Sequence, residues 1–296
     1  MEAVRRMRTL VLGGGYSGGH VAARLRDRGD AVLVSHRSLD DRPLLKGVEH
    51  VRFDPDRGIV PSAEQLGMVD RVLVTIPPDR QGRDPVLEHL GPTLGRLAPR
   101  WLGYLSTTGV YGDTKGAWVD ETSPLRPANT RSRHRMACEQ AWQASGLTVT
   151  LLRLPGIYGP GRSPFGKLAT GQGRLLHKPG QVFSRIHVDD ICGAVLLAME
   201  REGSDVVNVS DDLPCPSSEQ LAFAAHLAGC KLPPCERFEE ACLAMGPMAL
   251  SFWRDNRRVG NGKLRQLWGY RLRFPTYREG LRHCLAAERA ASQAAA

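Results

Sequence analysis

No stretch of this chain approaches the roughly 20 consecutive apolar residues that a membrane-spanning helix needs, so a helical membrane protein is not expected. A secretory leader is missing as well: MEAVRRMRTLVLGG runs from a basic start straight into a short strand-like segment and a glycine turn. The expected compartment is the cytoplasm. The seven cysteines are scattered and odd in number, in a chain of 296 residues that can bury a core without covalent staples, so no disulfide framework is expected. Cys230 and Cys235, in CKLPPC, lack a second pair or a histidine at zinc-site spacing, which argues against a metal centre. Internal repeats and low-complexity linkers are also missing, apart from an alanine-rich tail after Leu285. Forty basic against 31 acidic residues give a net charge of +9. The arginines are dispersed rather than gathered in one arm, which argues against a nucleic-acid partner and for a small anionic ligand.

What is present is a βαβ rhythm. TLVLGGGYSGGHVAARLRDRGDAVLVSHR predicts a strand at Thr9 to Leu12, a glycine turn, a helix carrying Val21, Ala22 and Leu25, and a second strand at Ala31 to Ser35. Further strands are expected at His50 to Phe53, Arg71 to Thr75, Leu102 to Leu105 and Thr148 to Leu152, mostly with helix-length segments between them. Strands and helices alternating in this way predict an α/β fold of the Rossmann type, a doubly wound parallel sheet.

Gly13, Gly15 and Gly18 fit G-x-G-x-x-G in the context that gives the pattern meaning, a strand before and a helix after. The first glycine allows the tight turn, the second lets backbone approach a pyrophosphate, and the third lets helix pack on strand. The helix N-terminus adds unpaired N–H groups and positive potential. Gly13, Gly15, Tyr16, Ser17 and Gly18 are therefore the expected cofactor loop. About 20 residues on, the second strand ends in Ser35, His36 and Arg37, with no acid at its tip to bind a ribose 2′-hydroxyl. Arg37 suits a 2′-phosphate, so NADP is the expected cofactor. Asp40 and Asp41, just downstream, leave NAD open.

YLSTTGVYGD (104 to 113), RLPGIYGPGR (153 to 162), RIHVDDICGAVLLAM (185 to 199) and VVNVSDD (206 to 212), in that order, resemble the extended short-chain dehydrogenase/reductase superfamily, in its nucleoside-diphosphate-sugar epimerase/dehydratase branch. The resemblance covers roughly residues 7 to 285. It implies a Rossmann core over 1–155, with later segments near 183–210 returning to it. A smaller C-terminal substrate lobe would be built from 156–182 and 211–285, and 286–296 would be a flexible tail. It also implies a nucleotide-sugar or other anionic small-molecule substrate, and a homodimer through helices flanking the site.

That branch uses a Ser or Thr three residues before the VYG valine, here Thr107. It also uses a Tyr-x-x-x-Lys pair whose lysine stands four residues before a glutamate, here Glu139. The lysine position is then Arg135 and the tyrosine position Arg131, so both members are exchanged for arginine within RSRHR. A guanidinium with a pKa above 12 cannot act as an acid at neutral pH. The pattern resembles atypical members that keep the glycine loop and lack the tyrosine. Thr107 and Arg135 are expected at the nicotinamide, and Arg131 on an anionic substrate group. Tyr158, with Tyr111 and His134, is a candidate substitute proton donor. Asp189 or Asp190 is expected to cap a helix, and Arg257, Arg258 and Lys263 to face a diphosphate. The alternative function is a catalytically silent NADP-binding sensor.

Overall fold

The computed structural model describes residues 6–40 and 43–295. It divides into two compact units, each assembled from separate pieces of chain. The first takes the residues up to Thr107, with Thr130–Arg153 and Ile191–Val207. The second takes Thr108–Asn129, Leu154–Asp190 and Asn208–Ala296. Residues 108–129, expected in the Rossmann core, thus belong to the second unit, as do 183–190.

In the first unit the chain runs β1 (Arg8–Leu12), α1 (Tyr16–Asp27), β2 (Ala31–His36), β3 (Glu49–Arg52), β4 (Arg71–Val74), α2 (Pro85–Leu97), β5 (Trp101–Thr107), α3 (Thr130–Gln143) and β6 (Val149–Leu154). Next come α4 (Val188–Ala198), whose first turn lies in the second unit, and β7 (Asp205–Asn208). The seven strands form one parallel sheet in the order β7-β6-β5-β4-β1-β2-β3. β1 is an interior strand, with Val11 between Val34 of β2 and Leu73 of β4. Leu10, Val11 and Leu12 are fully buried, as continuous apolar runs must be when both faces of a parallel sheet are covered.

The helices follow from their apolar spacing and their caps. In α1 the buried residues are Gly18, Val21, Ala22 and Leu25, one stripe facing the sheet. The Asp84 carboxylate accepts the N–H groups of Val86 and Leu87, and Pro85 fills a helix position that needs no N–H, so α2 starts there and buries Val86, Leu90 and Leu94. The other oxygen of Asp84 accepts the indole N–H of Trp142 on α3 at 3.0 Å.

In the second unit, Gly156–Tyr158 pairs in parallel with Arg185–His187. A separate core gathers Tyr158, Phe165, Leu168, Cys215, Tyr277 and Leu281 against α5 (Ser217–Ala228) and α6 (Tyr277–Ala295). The expected flexible tail is instead the end of α6. Glu288 accepts the N–H of Gly161 at 3.0 Å and the hydroxyl of Ser163 at 2.7 Å, which ties the late helix to the loop after Tyr158.

One ion pair joins three elements of the first unit. Glu139 on α3, 1% exposed, receives Arg153 of β6 at 2.7 Å and the hydroxyl of Ser106 of β5 at 2.5 Å. Removing one partner leaves the other charge buried and uncompensated, so Glu139→Ala should destabilise the protein by about 3–5 kcal/mol. Chemical denaturation checks this, and a loss below about 1 kcal/mol, the range of an exposed pair, would contradict it.

Candidate functional site

The glycine turn between β1 and α1 is fixed from both neighbouring strands. Gly13 donates its N–H to the Ser35 hydroxyl at 3.0 Å, and Gly14 donates to the Ser35 carbonyl at 2.9 Å. From the other side, the Thr75 hydroxyl donates to the Gly13 carbonyl at 2.7 Å. Ser35, an expected cofactor contact, is 1% exposed; it shapes the turn through its hydroxyl and also belongs to the wall of the cavity above it.

The three motif glycines are needed for different reasons. Gly13 has φ +109°, and a Cβ there would meet Thr75 and Ile76. At Gly18 a Cβ would come within 2.0 Å of the Gly13 carbonyl oxygen. Gly15, the N-terminal flanking residue of α1, has φ −74°, and a Cβ there would have no protein atom within 4 Å. The fold therefore does not demand a glycine at 15. It is the position over the helix N-terminus where room remains for an outside group, as a pyrophosphate requires. Tyr16 opens α1 and packs on His20, with ring centroids 4.6 Å apart, and Ser17 is half-buried in the first turn.

Over the turn lies a cavity of about 1140 Å³, walled by Gly13–Gly15, the tip of β2 at Ser35–Ser38, and the loop after β4. A dinucleotide fits a cleft of this size. Arg37 lines it, exposed and with no ion-pair or hydrogen-bond partner among the described residues. No carboxylate belongs to the β2 tip: Asp40 is exposed outside the lining, and Asp41 falls outside the described residues. Beneath Arg37, His50 donates its Nε2–H to the Leu45 carbonyl at 2.9 Å. Its Nδ1 must then accept from His36 Nε2 at 3.0 Å.

Thr107, Arg131 and Arg135 do not line this cavity. Thr107 is half-buried at the end of β5, and Arg131 is exposed on α3. Arg135 faces the sheet, donating to the Tyr104 hydroxyl at 2.8 Å and the Leu105 carbonyl at 3.1 Å. Of the two, Arg135 is thus held against β5 beside Thr107, and neither is among the residues that line this cavity. Tyr104 was not anticipated. It supplies from β5 a tyrosine hydroxyl beside the cation on α3, but it is fully buried, and burial holds its hydroxyl well above the usual phenol range.

The other sequence-derived candidates have structural roles. Tyr158 sits in the core of the second unit, donating to the Thr276 carbonyl at 3.4 Å, and burial raises its pKa strongly. Tyr111 is buried and donates to Asn208 Oδ1 at 2.7 Å. The His134 ring lies against Gly82, where a Cβ would collide with it. The cap of α4 is His187, whose Nδ1 accepts the N–H of Asp189 at 3.1 Å, while Asp190 accepts the backbone N–H groups of Arg273 and Phe274. Arg257 is committed to Asp255 and the Gly112 carbonyl, and Arg258 to the Gly116 carbonyl. Lys263 opens a π-helical turn, Lys263–Leu267.

His187, Asp189 and His283 place ligand-type atoms within 4.8 Å of one another. An acceptor Nδ1 on His187 leaves its Nε2 protonated and donating to His283 at 3.2 Å, a tautomer unsuited to metal binding through that atom.

Asp211, in the second unit, has the kind of perturbed pKa that marks functional sites, yet it is 1% exposed and lines neither large cavity of the first unit. Burial pushes its carboxyl up to about 8, with Arg185 pulling the other way. A folded pKa above the unfolded one, about 4, means stability that is complete below that value and lost as pH rises through 8. The loss is at most about 1.4 kcal/mol per pH unit. Asp211→Asn should flatten it, as urea midpoints between pH 5 and 8.5 will show. Parallel curves for the two proteins would contradict this.

The glycine analysis gives a paired expectation. Gly15→Val should abolish dinucleotide binding with native circular dichroism and melting temperature, whereas Gly18→Val should disrupt the turn and lower the melting temperature. Calorimetric titration of both variants checks it, and retained cofactor binding in Gly15→Val would sink the assignment of this turn.

The model of the NAD dependent epimerase/dehydratase family matches residues 85–210. That match begins after the glycine turn. A solved structure from Silicibacter pomeroyi, described as a functionally unknown conserved protein, is 42% identical, with a TM-score of 0.88 over 95% of this chain and 99% of that one. Protein YeeZ of Escherichia coli K12 is 28% identical over 215 residues, 67% of this chain and 76% of that protein. A 3-diazoavenalumate denitrifying reductase from a Streptomyces species is 30% identical over 175 residues, 55% of each chain. Among the described residues, no helix is long and apolar enough to cross a membrane.

Proposed function

We propose that the chain, whose residues 85–210 match the NAD dependent epimerase/dehydratase family, is an NADP(H)-dependent oxidoreductase of that family, acting on a small anionic or nucleotide-linked carbonyl or hydroxyl compound without a tyrosine acid. The observation that carries the cofactor half of this reading is the open position at Gly15 over the α1 N-terminus, with Arg37 at the β2 tip, which has no partner among the described residues. The Streptomyces relative, named a reductase, supports the reductive half.

When bound, a nicotinamide dinucleotide supplies or accepts a hydride. The protein's own part is to bind and orient. The N–H groups at the start of α1 and the space at Gly15 take the pyrophosphate, and Arg37 takes the 2′-phosphate. Thr107, at the end of β5, hydrogen-bonds the substrate oxygen. The Arg131 guanidinium holds an anionic substrate group or the negative charge developing on oxygen. The proton then comes from water. Arg135, bonded to Tyr104 and Leu105, fixes the strand end that carries Thr107.

A second reading, an NADP-binding sensor without turnover, is favoured by one observation: Tyr104, Tyr111 and Tyr158 are all buried, with Arg131 in the family tyrosine's place. NADPH consumption in the presence of nucleotide sugars and anionic carbonyl compounds separates the two. Turnover of any of them establishes the enzyme, and tight binding without turnover across the panel establishes the sensor.

The cofactor preference has its own test. Arg37→Asp should weaken NADP(H) by about 1.5–3 kcal/mol, the scale of a charge-assisted hydrogen bond, and leave NAD(H) nearly unchanged. Titration calorimetry measures both, and equal losses for the two cofactors would refute the role of Arg37.

A further inference from the structure

The cavity over the glycine turn has a second wall that the family pattern does not explain, the loop TIPPDRQGR between β4 and α2. Its start is anchored beside the turn: Thr75 donates its N–H to the Leu12 carbonyl at 2.9 Å and its hydroxyl to the Gly13 carbonyl. Pro77 and Pro78 stiffen the next step. Asp79 then closes a ring of five residues. Its N–H donates to the Arg83 carbonyl, its Oδ1 accepts the N–H groups of Gln81 and Arg83, and its Oδ2 accepts Arg83 Nε, all at 2.9 Å.

This closure has an electrostatic result. Arg83 holds both Asp79 and Glu88, the latter at 3.0 Å, so two of the cavity's three carboxylates are engaged with one guanidinium, and only Asp56 is left over. Arg80, adjacent to Asp79 in sequence, consequently finds that carboxylate already taken. It lines the cavity, exposed, with no ion-pair or hydrogen-bond partner among the described residues. The same holds for Arg37 on the opposite wall. The strands from which the two arginines extend, β4 and β2, flank β1 directly. At about 4.8 Å per strand the ends of β2 and β4 are roughly 10 Å apart. Arg37 directly follows β2 and Arg80 lies six residues beyond β4, and both line the one cavity. Two exposed guanidiniums with no partner among the described residues repel only weakly through water, and their donors are available to an anion held in that cavity.

We propose that Arg80 is a second specificity-determining residue, which with Arg37 grips the monophosphate on the adenosine ribose and sets the preference for the 2′-phosphorylated dinucleotide. The inference rests on the NADP reading above. A monophosphate, with three oxygens and close to two charges, accepts paired N–H bonds from two guanidiniums, whereas a ribose hydroxyl cannot. The ring closed by Asp79 keeps Arg80 in position before the ligand arrives, which reduces the ordering cost of binding.

The test is calorimetric titration of NADP⁺ and NAD⁺ into the wild type, R80A, R80K, R37A and the R37A/R80A double variant, with the melting temperature of each as a folding control. R80A should weaken NADP⁺ by at least about tenfold and NAD⁺ by less than about twofold. R80K, which keeps the charge and loses the planar fork, should fall between. The loss caused by R80A should shrink in the R37A background, because the two residues share one phosphate. Equal losses for NADP⁺ and NAD⁺ would place Arg80 on the part common to both and overturn the proposal. A wild-type preference for NADP⁺ that survives R80A would overturn it while leaving the NADP reading intact. Equal wild-type affinities would refute that reading and this one together.

Discussion

Three hydrogen bonds at one glycine turn decide where everything else in the first unit can act. Ser35 holds the turn from β2 and Thr75 holds it from β4, so the start of α1 has a fixed height and direction relative to the sheet. Short polar side chains are needed for this, because each must reach a backbone group at the crowded ends of parallel strands without filling the cleft above. The turn places the start of α1 beside the cavity that Gly13–Gly15 line. It also sets the bases of Arg37 and Arg80, which follow a few residues after Ser35 and Thr75. A ligand meeting this site finds donors already oriented, and the gain is one of pre-organisation.

The exchange of tyrosine and lysine for two arginines on α3 reorganises local charge rather than simply deleting a group. Arg135 is half-buried and satisfies its donors on Tyr104 and Leu105, with the Tyr104 ring 5.2 Å from its guanidinium carbon. The helix is thereby fastened to β5 by a guanidinium, which offers donors to oxygen atoms and no acid. On the function proposed above, this suits an alkoxide or an anionic substituent better than a group awaiting protonation.

The central sheet was legible in the sequence because its strands are uninterrupted apolar runs between glycine and polar breaks. RTLVL, AVLVSH and RVLV each lie within a residue or two of the predicted limits. The glycine turn was legible for the same local reason. The rest depends on pairings between distant positions, and no local pattern announces those. That Ser35 serves the turn needs the register of β1 on β2. That Arg135 meets Tyr104 needs the packing of α3 on β5. His187 as a helix cap, with Asp190 holding backbone 83 and 84 residues away, required the fold itself. The alanine-rich end reads as a tail by composition, and only Glu288, through its bonds to Gly161 and Ser163, reveals it as helix held in place.

The discontinuity of the first unit has a consequence during synthesis. β5 ends at Thr107, and its neighbour β6 begins only at Val149, after the chain has left for the second unit and come back. The outermost strand, β7, arrives later still, at Asp205. A nascent chain therefore carries the backbone N–H and C=O groups on the β6-facing edge of β5 unpaired over the time it takes to make the intervening segments, and the far edge of β6 stays open until β7 has emerged. Exposed strand edges of this kind invite pairing with other chains. Glu139 and Arg153 both travel on the returning segment 130–153 and neutralise one another there, and Glu139 also accepts the hydroxyl of Ser106, so the returning segment meets the waiting strand through one buried carboxylate.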